Sequence, residues 1–260
     1  TGIGGLDLAA EWAGFETIGQ CEFADYPTKV LEKHWPDVPR WRDIHELSTD
    51  DFRRRTGIES PTVISGGFPC QPHSVAGNRK ASSDERDLWP EYRRVISEVR
   101  PKWVVAENVR GLLSSEDGRF FRGILRDFAD MGFDVGWATY PACWTGAIHR
   151  RERVFTVAYT YSKRWDFMAK GKQKQCYEVN SQRVNHPETW KGIDAESCKL
   201  FCDGARILNC GIGANDRNDN GLQEGVDRLK CLGNAVVPQQ AYPIFKAIAE
   251  IETAERLVDR

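Results

Sequence analysis

The spacing of apolar residues shifts along the chain, and each shift marks an element. FETIGQCEF at 15–23 reads as a strand, and DYPTKVLEKHW at 25–35 as a helix. Pro27 is acceptable near the first turn of that helix, where its missing N–H loses no partner. PTVISGG at 61–67 is a short apolar strand ending in a glycine pair. LWPEYRRVISEV at 88–99 returns to helical spacing. KWVVAENV at 102–109 is a strand of the fully buried kind, and RFFRGILRDFADMGF at 119–133 is an amphipathic helix closed by Gly132. This alternation predicts an α/β fold: a mainly parallel sheet with helices on both faces, since parallel neighbours are joined by crossovers.

Beyond residue 133 the pattern changes. DVGWATYPACW at 134–144 and RVFTVAYTY at 153–161 predict an antiparallel hairpin attached to the parallel sheet. From about 162 to 222 periodicity fades into a polar stretch rich in Lys, Asn, Gly and Cys, either a small second domain or a long functional excursion. VPQQAYPIFKAIAEIETAERL at 237–257 predicts a helix returning to the main body, with Pro243 in an early turn or at a kink.

Composition narrows the class. A chain of 260 residues suits one large domain, or one domain with a small appendage. No apolar run reaches the ~18 residues of a membrane span. The formal net charge is -2, so an anionic partner must be met by local basic patches. These are FRRR at 52–55, HRRER at 149–153, and Lys163, Arg164, Lys170, Lys172 and Lys174 against Asp166. The eight cysteines are scattered through a chain too large to need staples, which fits reduced thiols. Cys198, Cys202, Cys210 and His186 can be drawn as a zinc set, but they lack a paired C-x-x-C, and free thiols fit better. The chain begins at Thr1 rather than Met, and a strand is expected upstream of it.

Four stretches carry candidate chemistry. TGIGG opens a helical pattern and suits either a plain tight turn or a loop that lets a nucleotide-like ligand approach the backbone. Glu22, after the second strand, can hold ribose hydroxyls, and Asp43 can accept from an adenine amino group, although taken singly each reads more readily as a cap or surface charge. In GGFPCQPHS, Gly66 and Gly67 allow a sharp turn and Pro69 fixes φ, so Cys70 projects from the carboxyl edge of the sheet as a nucleophile would. Glu107 in AENV ends the next strand on the same edge, where a carboxyl group could protonate a ring nitrogen while a thiolate attacks the ring. Asn108 could pin the backbone at Pro69–Cys70. Arg151 and Arg153 are two apart before a strand, and in extended chain they would share a face suited to phosphate or a base carbonyl.

Taken in order, TGIGG, Glu22, Asp43, GGFPCQPHS, RDLW, AENV, HRRERVF and LGNAVVPQ closely resemble the DNA cytosine-5 methyltransferase family in its bacterial and phage form. The resemblance covers 1–160 and 226–250 and implies a Rossmann-like fold that uses S-adenosylmethionine and releases S-adenosylhomocysteine. It implies a catalytic and cofactor-binding domain at 1–161, a short irregular target-recognition region at 162–225, and a segment at 226–260 that rejoins the catalytic domain. It places Gly2, Ile3, Gly4, Gly5 and Leu6 around the cofactor, Glu22 on the ribose, and Phe23, Asp43 and Ile44 about the adenine. Pro69, Leu88, Asn234 and Ala235 complete that pocket. Cys70 becomes the nucleophile and Glu107 the partner of the cytosine N3 and N4 edge, while Arg151 and Arg153 hold the cytosine carbonyl and steady a mobile loop at 71–87.

The implied reaction is thiolate addition at C6 of a flipped-out cytosine, methylation at C5, then loss of the C5 proton with expulsion of Cys70. The implied setting is cytoplasmic and nucleoid-associated, without membrane, for a monomer acting on double-stranded DNA beside a restriction endonuclease or in phage protection. Departures are His149 where many members carry Gln, a short variable region, and GVDRLKCLGNAV as the nearest match to an Arg-rich motif. An RNA cytosine methyltransferase and a non-catalytic nucleic-acid binding module are the alternatives. Intact Cys70, Glu107, Arg151 and Arg153 speak against the second.

Overall fold

The computed structural model describes residues 1–69, 87–147, 149–160, 231 and 234–258. They fall into two compact units, one of Thr1–Asp43, Tyr140–Arg151 and Glu188–Arg260, the other of Ile44–Thr139 and Glu152–Pro187.

In the first unit, helix α1 (Gly5–Trp12) follows the glycine loop, with Gly4 at its N-cap in the left-handed region at φ 85°. Strand β1 (Gln20–Cys21) pairs in parallel with β2 (Arg40–Trp41), and helix α2 (Asp25–His34) makes the crossover. The strand expected over 15–23 is thus ladder-paired only at Gln20 and Cys21. The C-terminal helix, α6 (Pro238–Val258), runs through Pro243 without ending. Its Ala241, Ile244, Phe245 and Ile248 are buried at helical spacing, and Phe245 meets Phe15 edge-on at 6.2 Å.

The second unit is built on a four-stranded sheet ordered β3 (Val63–Gly66), β4 (Trp103–Val109), β6 (Glu152–Tyr159), β5 (Asp134–Pro141). β3 and β4 are parallel, and β4 and β6 antiparallel. The expected strand pair 134–144 and 153–161 forms here as neighbours β5 and β6. Helix α4 (Trp89–Val99) makes the crossover from β3 to β4 and buries Tyr92, Val95, Ile96 and Val99. Helix α5 (Arg119–Asp130) buries Phe121, Ile124 and Phe128, so one apolar stripe faces the sheet. Phe128 is fully buried against Trp89 and Phe133, and truncating such a side chain costs about 3–5 kcal/mol.

Helix α3 (Thr49–Thr56) has no apolar signature to announce it. Its signals are local: the Ser48 hydroxyl accepts from the Asp51 N–H, and Gly57 closes the helix at φ 70°. Among the described residues, no helix is long and apolar enough to cross a membrane.

Candidate active site

The first unit gathers the glycine loop, Glu22 and the GNAV segment. Gly2 sits at φ 63°, where a side chain would be strained, and its N–H donates to Glu22 Oε2 at 2.7 Å. The other oxygen, Oε1, accepts from the Ala24 N–H at 2.9 Å. Two backbone donors therefore fix the carboxylate. Open space lies over Gly2, since a Cβ there would meet nothing within 4 Å. Phe23, next to Glu22, is 77% exposed, a bare ring on the same turn.

Gly5 answers to a different constraint. A Cβ at Gly5 would lie 2.4 Å from the Val236 carbonyl oxygen, so the absent side chain is what lets 235–237 pass against α1. Leu6 is buried beneath the loop. Ala235 donates its N–H to the Cys231 carbonyl, and Asn234 is exposed. Asp43 follows β2 in this unit, partly buried. Asp7, in the first turn of α1, accepts from Gln20 Nε2 at 3.1 Å, and burial pushes its carboxyl above the usual range.

The second unit holds the acid and its supports. Glu107 and Asn108 end β4, both buried. Asn108 Nδ2 donates to the Phe68 carbonyl at 3.1 Å, and its Oδ1 accepts from the Val109 N–H. The peptide just before Pro69 is thereby held to β4. Glu107 lies beside Gly67: a Cβ on Gly67 would be 3.0 Å from Glu107 Oε2. Arg153 Nε pairs with Glu107 Oε1 at 2.9 Å. The register explains this contact: Phe155 opposes Glu107 and Arg153 opposes Val109, a diagonal across one face of an antiparallel pair.

The Phe68 ring packs on Trp89 and Tyr92, which anchors the turn from below. Pro69 is exposed at its end. Leu88 stands at the N-cap of α4 and accepts from the Tyr92 N–H. Ile44 belongs to this unit, where it packs against the core while its carbonyl accepts from Arg94. Cys70 and the loop 71–86 lie outside the described residues, as do the lysine-rich stretch and the cysteines weighed for zinc. Among the described residues, no group of His, Cys, Asp and Glu could hold a metal ion.

The arginines divide. The shared face expected of Arg151 and Arg153 does not apply, because Arg151 precedes β6 with φ 30°, outside extended backbone. A left-handed non-glycine residue costs of order 1–3 kcal/mol and persists only where its surroundings over-determine it. Arg151 Nη2 donates to the Ala235 carbonyl at 2.5 Å. The FRRR cluster is locally neutralised: Arg53 pairs with Glu59, and Arg54 and Arg55 with Asp51. Sequence reasoning also missed Gln240, whose buried amide donates to Tyr140 and Arg151 carbonyls.

A family model described as C-5 cytosine-specific DNA methylase matches residues 1–209. The chain is 34% identical over 160 residues to the Type II methyltransferase M.FnuDI of Fusobacterium nucleatum, covering 61% of this chain and 45% of that protein. It is 34% identical over 170 residues to M.NgoMIV of Neisseria gonorrhoeae, covering 63% and 52%. The chain thus spans about half the length, or less, of these curated relatives. Among solved structures it is similar to an E. coli prophage protein described as a DNA modification methyltransferase, with TM-score 0.52, 23% identity, and 61% and 44% coverage. It is also similar to the Entamoeba histolytica methyltransferase EhMeth, with TM-score 0.51, 18% identity, and 62% and 51% coverage. At those identities the structural likenesses speak for the fold.

Proposed function

Because the chain belongs to the C-5 cytosine-specific DNA methylase family, we propose that it methylates cytosine at C5 in double-stranded DNA through covalent addition of Cys70. The observation that carries this reading is the tie between two strand ends. Asn108 holds the Phe68 carbonyl while Glu107 lies against Gly67, three residues before Cys70 in the chain.

The residues of the first unit fit an S-adenosylmethionine site. The open space over Gly2, the doubly held Glu22 carboxylate and the bare Phe23 ring suit a ribose and an adenine. Gly2, Ile3, Gly4, Gly5 and Leu6 would line the loop, and Asp43, Ile44, Pro69, Leu88, Asn234 and Ala235 would complete the site. When bound, S-adenosylmethionine supplies an electrophilic methyl group and leaves as S-adenosylhomocysteine.

The protein's own groups do the rest. C5 of cytosine is a poor nucleophile until the ring aromaticity is broken. Cys70 thiolate adds at C6 while the protonated Glu107 carboxyl donates to N3 and accepts from the N4 amino group, so the ring becomes enamine-like and C5 nucleophilic. Loss of the C5 proton then restores the ring and expels the thiolate. Arg153, paired with Glu107, orients that carboxyl group, and Arg151 and Arg153 hold the base carbonyl. The base must leave the stack, at a cost of a few kcal/mol. Residues 162–225 serve target recognition, and the chain acts as a monomer in the cytoplasm of a restriction–modification or phage protection system, beside a cognate endonuclease.

The test is transfer of labelled methyl from S-adenosylmethionine to mixed-sequence duplex DNA and, in parallel, to bulk transfer RNA. The expected result is label in DNA as 5-methylcytosine, abolished by Cys70→Ala. Label in RNA alone would assign an RNA substrate. DNA retention without label in either would leave a binding module.

A further inference from the structure

Gln240 is fully buried in α6, one turn beyond the GNAV segment. Its side-chain amide donates both protons: to the Tyr140 carbonyl at 2.7 Å and to the Arg151 carbonyl at 3.0 Å. Those carbonyls stand at the two ends of the connection between β5 and β6. A backbone bond from the Ala142 N–H to the Arg150 carbonyl, at 2.8 Å, closes the same neck. The Gln240 Oε1 has no hydrogen-bond partner among the described residues. An apolar side chain of equal length would avoid that unmatched acceptor, so the amide is explained by its two donors.

Arg151 needs such a clamp. Its φ of 30° is unfavourable for a residue with a Cβ. Its guanidinium donates to the Ala235 carbonyl, five residues before Gln240, while its own carbonyl receives the Gln240 amide. The contact is reciprocal: one stretch, 235–240, holds Arg151 at both ends.

We propose that Gln240 is the positioning residue that fixes Arg151 in its left-handed conformation and so aims its guanidinium for methyl transfer. The inference rests on the methyltransferase reading for its kinetic consequence, and on the hydrogen bonds alone for its structural one.

The test compares the full chain with Gln240→Met, which keeps volume and removes both donors, with Arg151→Ala, and with the double variant. Gln240→Met should lower kcat by about 10- to 100-fold, the cost of a slightly misplaced group, with KM and Kd for S-adenosylmethionine unchanged. The double variant should fall within roughly twofold of Arg151→Ala, because one residue acts through the other. Hydrogen exchange at the Ala142 amide should quicken in Gln240→Met. Wild-type kcat, losses that multiply in the double variant, or unchanged exchange at Ala142 would each overturn the proposal. If the wild-type chain transfers no methyl group, the functional reading fails, and exchange at Ala142 still decides the clamp. Should Gln240→Met not fold, Gln240→Leu takes its place, since it too supplies no donor.

Discussion

Single side chains carry two sharp expectations. Glu107→Gln keeps the shape and removes the acid, so kcat should fall by about 10²–10⁴-fold, with S-adenosylmethionine affinity by calorimetry unchanged. Asp7 gives a stability test independent of chemistry. Burial raises its carboxyl pKa above the usual carboxylate range, so the folded state binds this proton more tightly than the unfolded chain. The favourable contribution is complete below the unfolded pKa and is lost as pH rises through the folded one. Asp7→Asn keeps an acceptor for Gln20 and carries no charge to bury. Thermal melts should show the variant above wild type at pH 7, with the advantage vanishing near pH 3; an equal gain at both pH values would refute the burial argument.

Between elements, missing side chains decide how closely strands, loops and helices approach. Gly5→Ala would drive a Cβ into the Val236 carbonyl, a backbone group that cannot rotate aside. Such overpacking costs about 1–3 kcal/mol, so the melting temperature should drop; an unchanged melt would mean that α1 and 235–237 are free to part. Gly67→Ala is milder, because the clash is with the end of the Glu107 side chain. It should impair methyl transfer more than stability, as read by kcat beside the melt.

The elements also show what the sequence could reveal. β3, β4, α4 and α5 are legible because their apolar spacing is set by burial on one face or two; the Asn108 tie, expected at Pro69–Cys70, is seen at the Phe68 carbonyl. α3 was hidden by its polar composition, and its arginines read as a basic patch although each meets a carboxylate within a few residues. Arg151 and Gln240 were illegible for another reason. A left-handed φ leaves no composition signal outside glycine, and a bridge from Gln240 to Tyr140 spans 100 residues of sequence.

At the scale of the whole molecule, the two units carry complementary chemistry: backbone donors and an acid suited to a nucleoside in one, a buried acid with its arginine in the other. Net charge of -2 leaves DNA attraction to local cations, so affinity should fall steeply with salt, with a log–log slope proportional to the phosphates neutralised. A salt-independent affinity would contradict phosphate contact. Whether Cys70 makes cytosine C5 reactive can be read from duplex DNA tritiated at that carbon and incubated with S-adenosylmethionine. Tritium should be released into water by the wild-type chain and not by Cys70→Ala. Release that survives the substitution, or no release from wild type, would contradict that role of Cys70.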